Sequence, residues 1–453
     1  MRIESMRRRA GAALIALVAA GGLAACTDEP QAAPEEAPHA ATFDCDQGEP
    51  LANALENGAE WAMCWQVDPD RGLVLTDIRF TPTDAEPVLI AEELSLAQLE
   101  VPYDSGENTT YDLTDAGFGG TKMQTLTETE CVGERIATDI PDIDDGTYGK
   151  TRHREVLCSL IVDGGLGYRS GEFGEVVAAR REDWQLSTIS KVGWYEYVTQ
   201  YSFGSDGVIR SDLGATGDIS PIDFSDHEHG TAVGEGDHAH ATSHSHNAVW
   251  RVHWALDDPG ALAVEQYDAE DTGEMGPKAP IVEGSLRAIE HPAIAQWEDR
   301  RWWRVLAPGV LNADGRPISY EIDLGKSDTF TFTHDHLFHG EEEAYDVAFT
   351  NADPCELLAV RNGAGSTCGQ SVHEYIEDSA DEELRDVVSW VAVGFHHVVR
   401  DEDQSPMDMH WQGFALRPRD LTAQRVAVPD GREELNGELE GEFRKWYRLD
   451  EED

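Results

Sequence analysis

The stretch ATSHSHNAVWRVHWALD, residues 241–257, places His244 and His246 one residue apart at the head of an alternating run. His238 and His240 lie just upstream, and His253 falls inside the run. On a β-strand, residues i and i+2 point to the same face, so His244 and His246 can converge on one ion. The pairs His238/His240 and His334/His336, the latter in THDHLFH, satisfy the same rule. A third imidazole can come from far along the chain, where SWVAVGFHHVVRDEDQSPMDMHWQGFALRP carries His396 and His397 on another β-like run. Adjacent strand residues face opposite ways, so only one of that pair can join His244 and His246. Three imidazoles without cysteine or carboxylate suit copper or zinc. Without a third ligand, each pair is weak evidence for a metal and reads more readily as solvated polar histidines.

Ligands of this kind need a rigid frame, and the dominant periodicity of the chain is two. RGLVLTDIRF, WYEYVTQYSF, GVIRSDLGAT, VWRVHWAL and DTFTFTHD are rich in β-branched and aromatic residues and bounded by Gly, Asp or Pro. The turn GSDG at 204–207 is expected to join two of them as a hairpin. DEELRDVVSW is the best helical candidate. No repeat of 20–50 residues interrupts the pattern. The reading is an all-β protein whose central region, 43–420, forms a large sandwich or barrel, as one domain or two tightly joined ones.

The ends and the cysteines set the compartment. MRRRAGAALIALVAAGGLAACTDEP, a basic cluster and a short Gly/Ala-rich apolar run ending in Leu23-Ala24-Ala25-Cys26, reads as a lipoprotein signal peptide over 1–25. The apolar run is short for an uncleaved membrane anchor. Residues 26–42 then form the lipidated Cys26 and a Pro/Ala/Glu tether, and 421–453 an acidic tail. The expected location is the extracytoplasmic face of the cell membrane. Six cysteines remain, an even number for an exported chain, and pair most simply as neighbours: Cys45 with Cys64, Cys131 with Cys158, Cys355 with Cys368. The formal charge is -54, and the first 25 residues (four Arg against one Glu) leave the rest at -57. Such acidity argues against nucleic acid and anionic lipid as partners, and favours cations, amines included.

Five segments, in order, resemble the copper amine oxidases, a family whose catalytic domain is a large antiparallel β-sandwich holding copper and a quinone made from one of its own tyrosines. ELSLAQLEVPY resembles the approach to the family's site tyrosine, and TDAGFGG the Asp-x-Gly stretch that carries the base. VGWYEYVTQYSFGSDGVIRSDLGATG resembles the quinone-tyrosine strand and its successor, HSHNAVWRV the copper His-x-His, and VGFHHVVRDED the segment of the third histidine. The similarity runs from EWAMCWQVDPDRGLVLTDIRF near residue 60 to GFALRPRD near 420.

The resemblance implies copper on His244, His246 and His397, with His238 and His240 left as an upstream His-rich loop. It makes Tyr195 the topaquinone precursor that would form the Schiff base with an amine. Asp115 becomes the proton acceptor, with Asp112 a rival set aside because x-Gly follows Asp115. Tyr103 becomes the cofactor's hydrogen-bond partner, and Cys131–Cys158 the brace of this region. The implied reaction is oxidative deamination of primary amines by dioxygen to aldehyde, ammonia and hydrogen peroxide, and a homodimer is usual in the family.

This chain departs from the pattern in places. Trp194 stands where the family has Asn before the quinone tyrosine, and Val399 replaces a proline after the third histidine. His253 and Ala255 occupy the acidic positions of the family's second metal site, which is expected to be absent or altered although Asp386 is retained. Two functional readings follow, an active amine oxidase and a catalytically inactive copper-binding lipoprotein, with Trp194 the main argument for the second.

Overall fold

A computed structural model describes residues 44–106, 109–141, 143, 151–171, 176–219, 226–234, 239–277, 279–298, 300–325, 344–360 and 368–423. The expected leader and tether, all but the first three residues of the expected tail, His238, the DTFTFTHD run and His334/His336 lie outside them.

Two antiparallel sheets carry almost every described element. One runs from edge to edge through Glu49–Ala54, Glu60–Asp68, Gly72–Thr81, Val88–Pro102, His244–Trp254, Val387–His397, Val347–Asn351 and Ala293–Ala295, with the short Thr109–Tyr111 beside Val88–Pro102. The other runs through Pro280–Ile289, Ala263–Met275, Trp302–Leu311, Pro317–Gly325, Met407–Arg419, Ile209–Gly217, Tyr195–Gly204, Val177–Val192, His153–Ser170 and Glu134–Asp139. The expected all-β sandwich is therefore observed. GSDG makes the expected hairpin, with the Gly207 N–H bonding the Gly204 carbonyl at 3.0 Å.

Alternation explains why the sheets pack face to face. In Tyr195–Gly204 the residues Tyr195, Tyr197, Thr199, Tyr201 and Phe203 are buried on one face. Rings from the two sheets interlock: Trp61 with Phe203 at 5.1 Å, Tyr201 with Trp250 at 5.5 Å, Trp254 with Tyr320 at 5.8 Å. The Trp61 indole N–H also finds the Gly204 carbonyl at 2.9 Å, so its polar atom is not stranded. Full burial of one such side chain stabilises by about 1.5–3 kcal/mol. Disulfides join Cys45–Cys64, Cys131–Cys158 and Cys355–Cys368, the neighbour pairing expected from their order.

The helical expectation for DEELRDVVSW is corrected. Val387 onward is a central strand, its Val388 and Trp390 paired to Thr350 and Ala348, while the helix lies just before it at Val372–Asp378. A Ser371/Glu374 capping box starts that helix.

Candidate active site

Two strands of the first sheet deliver the histidines. His244–Trp254 pairs antiparallel with Val387–His397 so that His244 faces His397 directly and His246 faces Phe395. His244, His246 and His397 thus share the inner face, at 0, 1 and 2% exposure. One nitrogen from each lies within 4.8 Å of the others. His396 points the opposite way and pairs with Asp104 at 3.1 Å, as strand alternation demands. Tyr103 bridges to His244 on the neighbouring strand, their rings 4.7 Å apart.

The second sheet supplies the tyrosines. Tyr195 opens its strand, paired to Val192 and Gly217, and its ring enters the histidine cluster 4.9 Å from His246. Gly217, at φ 108°, permits this: a Cβ there would sit 2.6 Å from the Trp194 carbonyl. Trp194 turns outward, 49% exposed, so its ring does not share the buried face that holds Tyr195.

Hydrogen bonds set the orientation of each ring. His244 Nδ1–H donates to the Thr242 carbonyl at 3.1 Å, because a carbonyl only accepts. Its Nε2 lone pair is left facing Tyr195 Oη, which donates across 2.6 Å. His397 Nε2–H donates to Asp403 at 2.9 Å, leaving Nδ1 toward Tyr195 Oη at 3.5 Å. Burial pushes the His244 imidazole down to about 3 and His246 far below its ordinary value, so both are neutral at working pH with free lone pairs. His246 Nδ1 is enclosed with no hydrogen-bond partner. An orphaned buried nitrogen among neutral imidazoles is a poor arrangement for the bare protein and fits a divalent transition metal well.

Asp403 and His410 were not foreseen in the sequence. Asp403 is buried; burial raises its carboxyl, but the bonds from His397 and the Arg400 N–H win and hold it below the usual range. The His410 ring lies 4.4 Å from His397. A carboxylate behind a ligand histidine fixes its tautomer and raises its basicity. The only local signal for Asp403 is the acidic run RDED, which ends six residues after His397.

Asp112 and Asp115 separate sharply. Both sit on the turn Asp112–Ala116, which is tied down by the Gly117 N–H to the Leu113 carbonyl and, just beyond, by the Phe118 N–H to the Asp70 carbonyl. Asp112 is 3% exposed and accepts the Tyr197 hydroxyl at 2.8 Å, while the Tyr197 ring stacks between Phe118 and Tyr195. Asp115 is exposed and close enough to raise Asp112 through its charge. Partial burial raises Asp115 as well.

Burial, opposed by the Tyr197 hydrogen bond, pushes Asp112 up to about 7. The folded chain therefore holds a proton that the unfolded chain has released between about pH 4 and about 7, so this residue weakens the fold as pH rises through that window. Asp112→Asn keeps an acceptor for Tyr197 but no charge. Its urea midpoint should gain on wild type between pH 5 and pH 8, and parallel profiles for the two proteins would refute the assignment.

At the place where the resemblance puts a second metal site, His253 bonds Asp386 at 2.8 Å and approaches Glu92 at 3.3 Å. An imidazole there stands between two carboxylates.

The comparisons with known proteins agree with this architecture. The family model "Copper amine oxidase, enzyme domain" matches residues 57–430. The chain is 24% identical to a Primary amine oxidase of Arthrobacter sp. (strain P1) over 390 residues, covering 82% of this chain and 59% of that protein. It is 24% identical to Primary amine oxidase 2 of Arabidopsis thaliana over 394 residues, covering 81% and 57%. Among solved structures, it is similar to a copper-containing benzylamine oxidase from Hansenula polymorpha, with TM-score 0.69, 23% identity, and 87% of this chain and 66% of that one covered. The chain spans less than two thirds of the length of each. With a match across most of its length, the chain belongs to the copper amine oxidase family.

Proposed function

We propose that this chain oxidises primary amines with dioxygen, giving aldehyde, ammonia and hydrogen peroxide, with copper on His244, His246 and His397 and topaquinone derived from Tyr195. The observation that carries the reading is the Tyr195 hydroxyl held 2.6 Å from a lone pair of a neutral, buried His244, inside a set of three imidazoles. Bound there, copper and the quinone supply the redox chemistry and an electrophilic carbonyl that no ordinary side chain offers.

The remaining work falls to the chain's own groups. Thr242 and Asp403 fix the tautomers of His244 and His397, so the nitrogens nearest Tyr195 keep their lone pairs. Tyr103, packed on His244, serves as hydrogen-bond partner to the oxygen of the modified ring. Asp115 takes the α-proton of the amine: it is reachable from solvent, makes no hydrogen bond among the described residues, and partial burial raises its basicity. Asp112 is sealed and already holds Tyr197, which suits a residue that keeps the tyrosine stack in place. The acidic chain attracts cationic amines. Trp194, turned outward, leaves Tyr195 its buried position, which favours the enzymatic reading over the inactive one. Export and lipid attachment at Cys26 belong to the same proposal, and the mass of the mature N-terminal peptide checks them.

A redox-cycling quinone stain of purified, copper-loaded protein tests the function; protein that never stains after copper and oxygen refutes it. The metal assignment has its own check. His397→Ala removes one of three imidazoles and exposes Asp403 to a void, so tight copper should be lost by metal analysis. Full, tight copper in that variant would refute the triad.

A further inference from the structure

His397 is held from the second sheet as well as from its own. Asp403, in the loop after it, is 1% exposed, and its Oδ2 accepts His397 Nε2–H and the Arg400 backbone N–H, each at 2.9 Å. Asp403 Oδ1 accepts Arg400 Nε–H at 3.2 Å and faces His410 Nε2 at 3.6 Å. The Arg400 side chain is half exposed, so water weakens its end of this contact, whereas His410 is largely enclosed. His410 lies on Met407–Arg419 and pairs with Ala215, which in turn pairs with Tyr197 on the strand that carries Tyr195. From that sheet its ring reaches the first one, 4.4 Å from His397 and 5.2 Å from Phe395. Its Nε2 makes no hydrogen bond, and 3.6 Å is an electrostatic approach rather than a bond. A buried polar atom left unbonded costs about 1–3 kcal/mol, so an apolar side chain would serve packing better.

We infer that His410 is a positioning residue for the metal: reaching from the Tyr195 sheet, it fixes the plane of the His397 ring and keeps Asp403 behind it. The inference rests on the reading of His244, His246 and His397 as a copper site beside Tyr195. His397 Nδ1 lies 3.5 Å from Tyr195 Oη while Nε2 is tied to Asp403, so any turn of the ring moves both ends together. Contact with the His410 ring opposes that turn. Because one sheet carries both His410 and Tyr195, the contact also keeps the ligand in step with the tyrosine. Charge acts in the same direction. Arg400 and His410 draw the negative charge of Asp403 toward Oδ1, so the Nε2 proton stays on His397 and the ligand stays neutral. Outer partners of this kind orient a ligand and set its basicity. No proton or electron changes place. His397, Asp403 and His410 also bring one ligand atom each within 4.8 Å of one another. Both oxygens of Asp403 are already shared by His397 and Arg400, which favours a hydrogen-bonded support over a second ion.

The test uses full-length, copper-free wild type, His410→Ala and His410→Gln. Each is titrated with copper(II) sulfate against a competing chelator and followed by metal analysis and electron paramagnetic resonance. His410→Ala should bind copper about tenfold more weakly, the low end for loss of an outer partner of a ligand, and with an altered copper spectrum. Once oxygen is admitted, its quinone stain should develop about tenfold more slowly. His410→Gln returns an N–H near the reach of Nε2 without the ring, so it should recover part of the affinity and of the spectrum. A mere packing defect would not be repaired by Gln. His410→Leu, which fills the space without a nitrogen, carries the test if His410→Ala does not fold, and the same losses are expected of it. Wild-type affinity and spectrum in the Ala or Leu variant would overturn the inference, as would a Gln variant no better than Ala. So would a second ion in wild type that His410→Ala fails to bind, because His410 would then be a ligand. Wild type that takes up no copper or never stains sinks the amine oxidase reading and this inference with it. Wild type that does both, beside an unchanged His410→Ala, sinks the inference alone.

Discussion

Copper-loaded Tyr195→Phe protein is expected to bind its metal, remain unstained by a redox-cycling quinone assay, and oxidise no amine. The substitution removes one oxygen and little else. The ring keeps its stack on Tyr197 at 5.8 Å and its edge contact with His246 at 4.9 Å, and all three imidazoles remain. What disappears is the hydroxyl that His244 Nε2 faces at 2.6 Å, the oxygen from which the quinone must grow. Loss of a single hydrogen bond costs stability by only about 0.5–1.5 kcal/mol, so a folded, metal-binding, inactive protein is the outcome. The alternative source of a quinone is Tyr197, whose ring lies 5.9 Å from His246. Its hydroxyl is already given to Asp112 at 2.8 Å, which holds it away from the cluster. A Tyr195→Phe protein that still stained would overturn this ordering of the two tyrosines.

Period-two alternation made the fold legible, because a sheet residue's facing depends on its neighbours along the strand alone. The same rule brought His244 and His246 together and required that His396 and His397 part, as they do, one toward Asp104 and one inward. The error at DEELRDVVSW has a physical cause. A run opening on Glu, Leu and Arg has helical propensity, but Val387–His397 completes a sheet between Val347–Asn351 and His244–Trp254, and tertiary pairing outweighs weak local preference. Asp403, His410 and the Asp112–Tyr197 bond were hidden for a different reason. The first two depend on how the chain just after His397 turns back onto it, and the last joins residues 85 positions apart; no local period encodes either closure. Asp112 and Asp115, three residues apart, look alike in sequence and differ only in which side of one turn they occupy.

That difference governs the final prediction. Asp115→Asn protein should form the quinone and react with hydrazine-type probes, yet turn over amines about 10²–10⁴ more slowly, the usual cost of losing a positioned general base. Quinone formation survives because Asp115, exposed on its turn, makes no hydrogen bond to Tyr195 or to the three histidines, and the exposed amide disturbs no packing. Turnover fails because an amide has no lone pair basic enough to take a proton from carbon. A pH profile adds a second readout. Partial burial raises the Asp115 carboxyl, and the base works only when ionised, so kcat/KM of wild type should fall on the acid side through a pKa above the ordinary carboxylate value. The variant should lose that limb along with its rate. Turnover within a few-fold of wild type would instead move the proton acceptor to Asp112, whose Asn variant would then have to show the loss, and the sealed, Tyr197-bound carboxylate would need a path to the substrate that its 3% exposure does not provide.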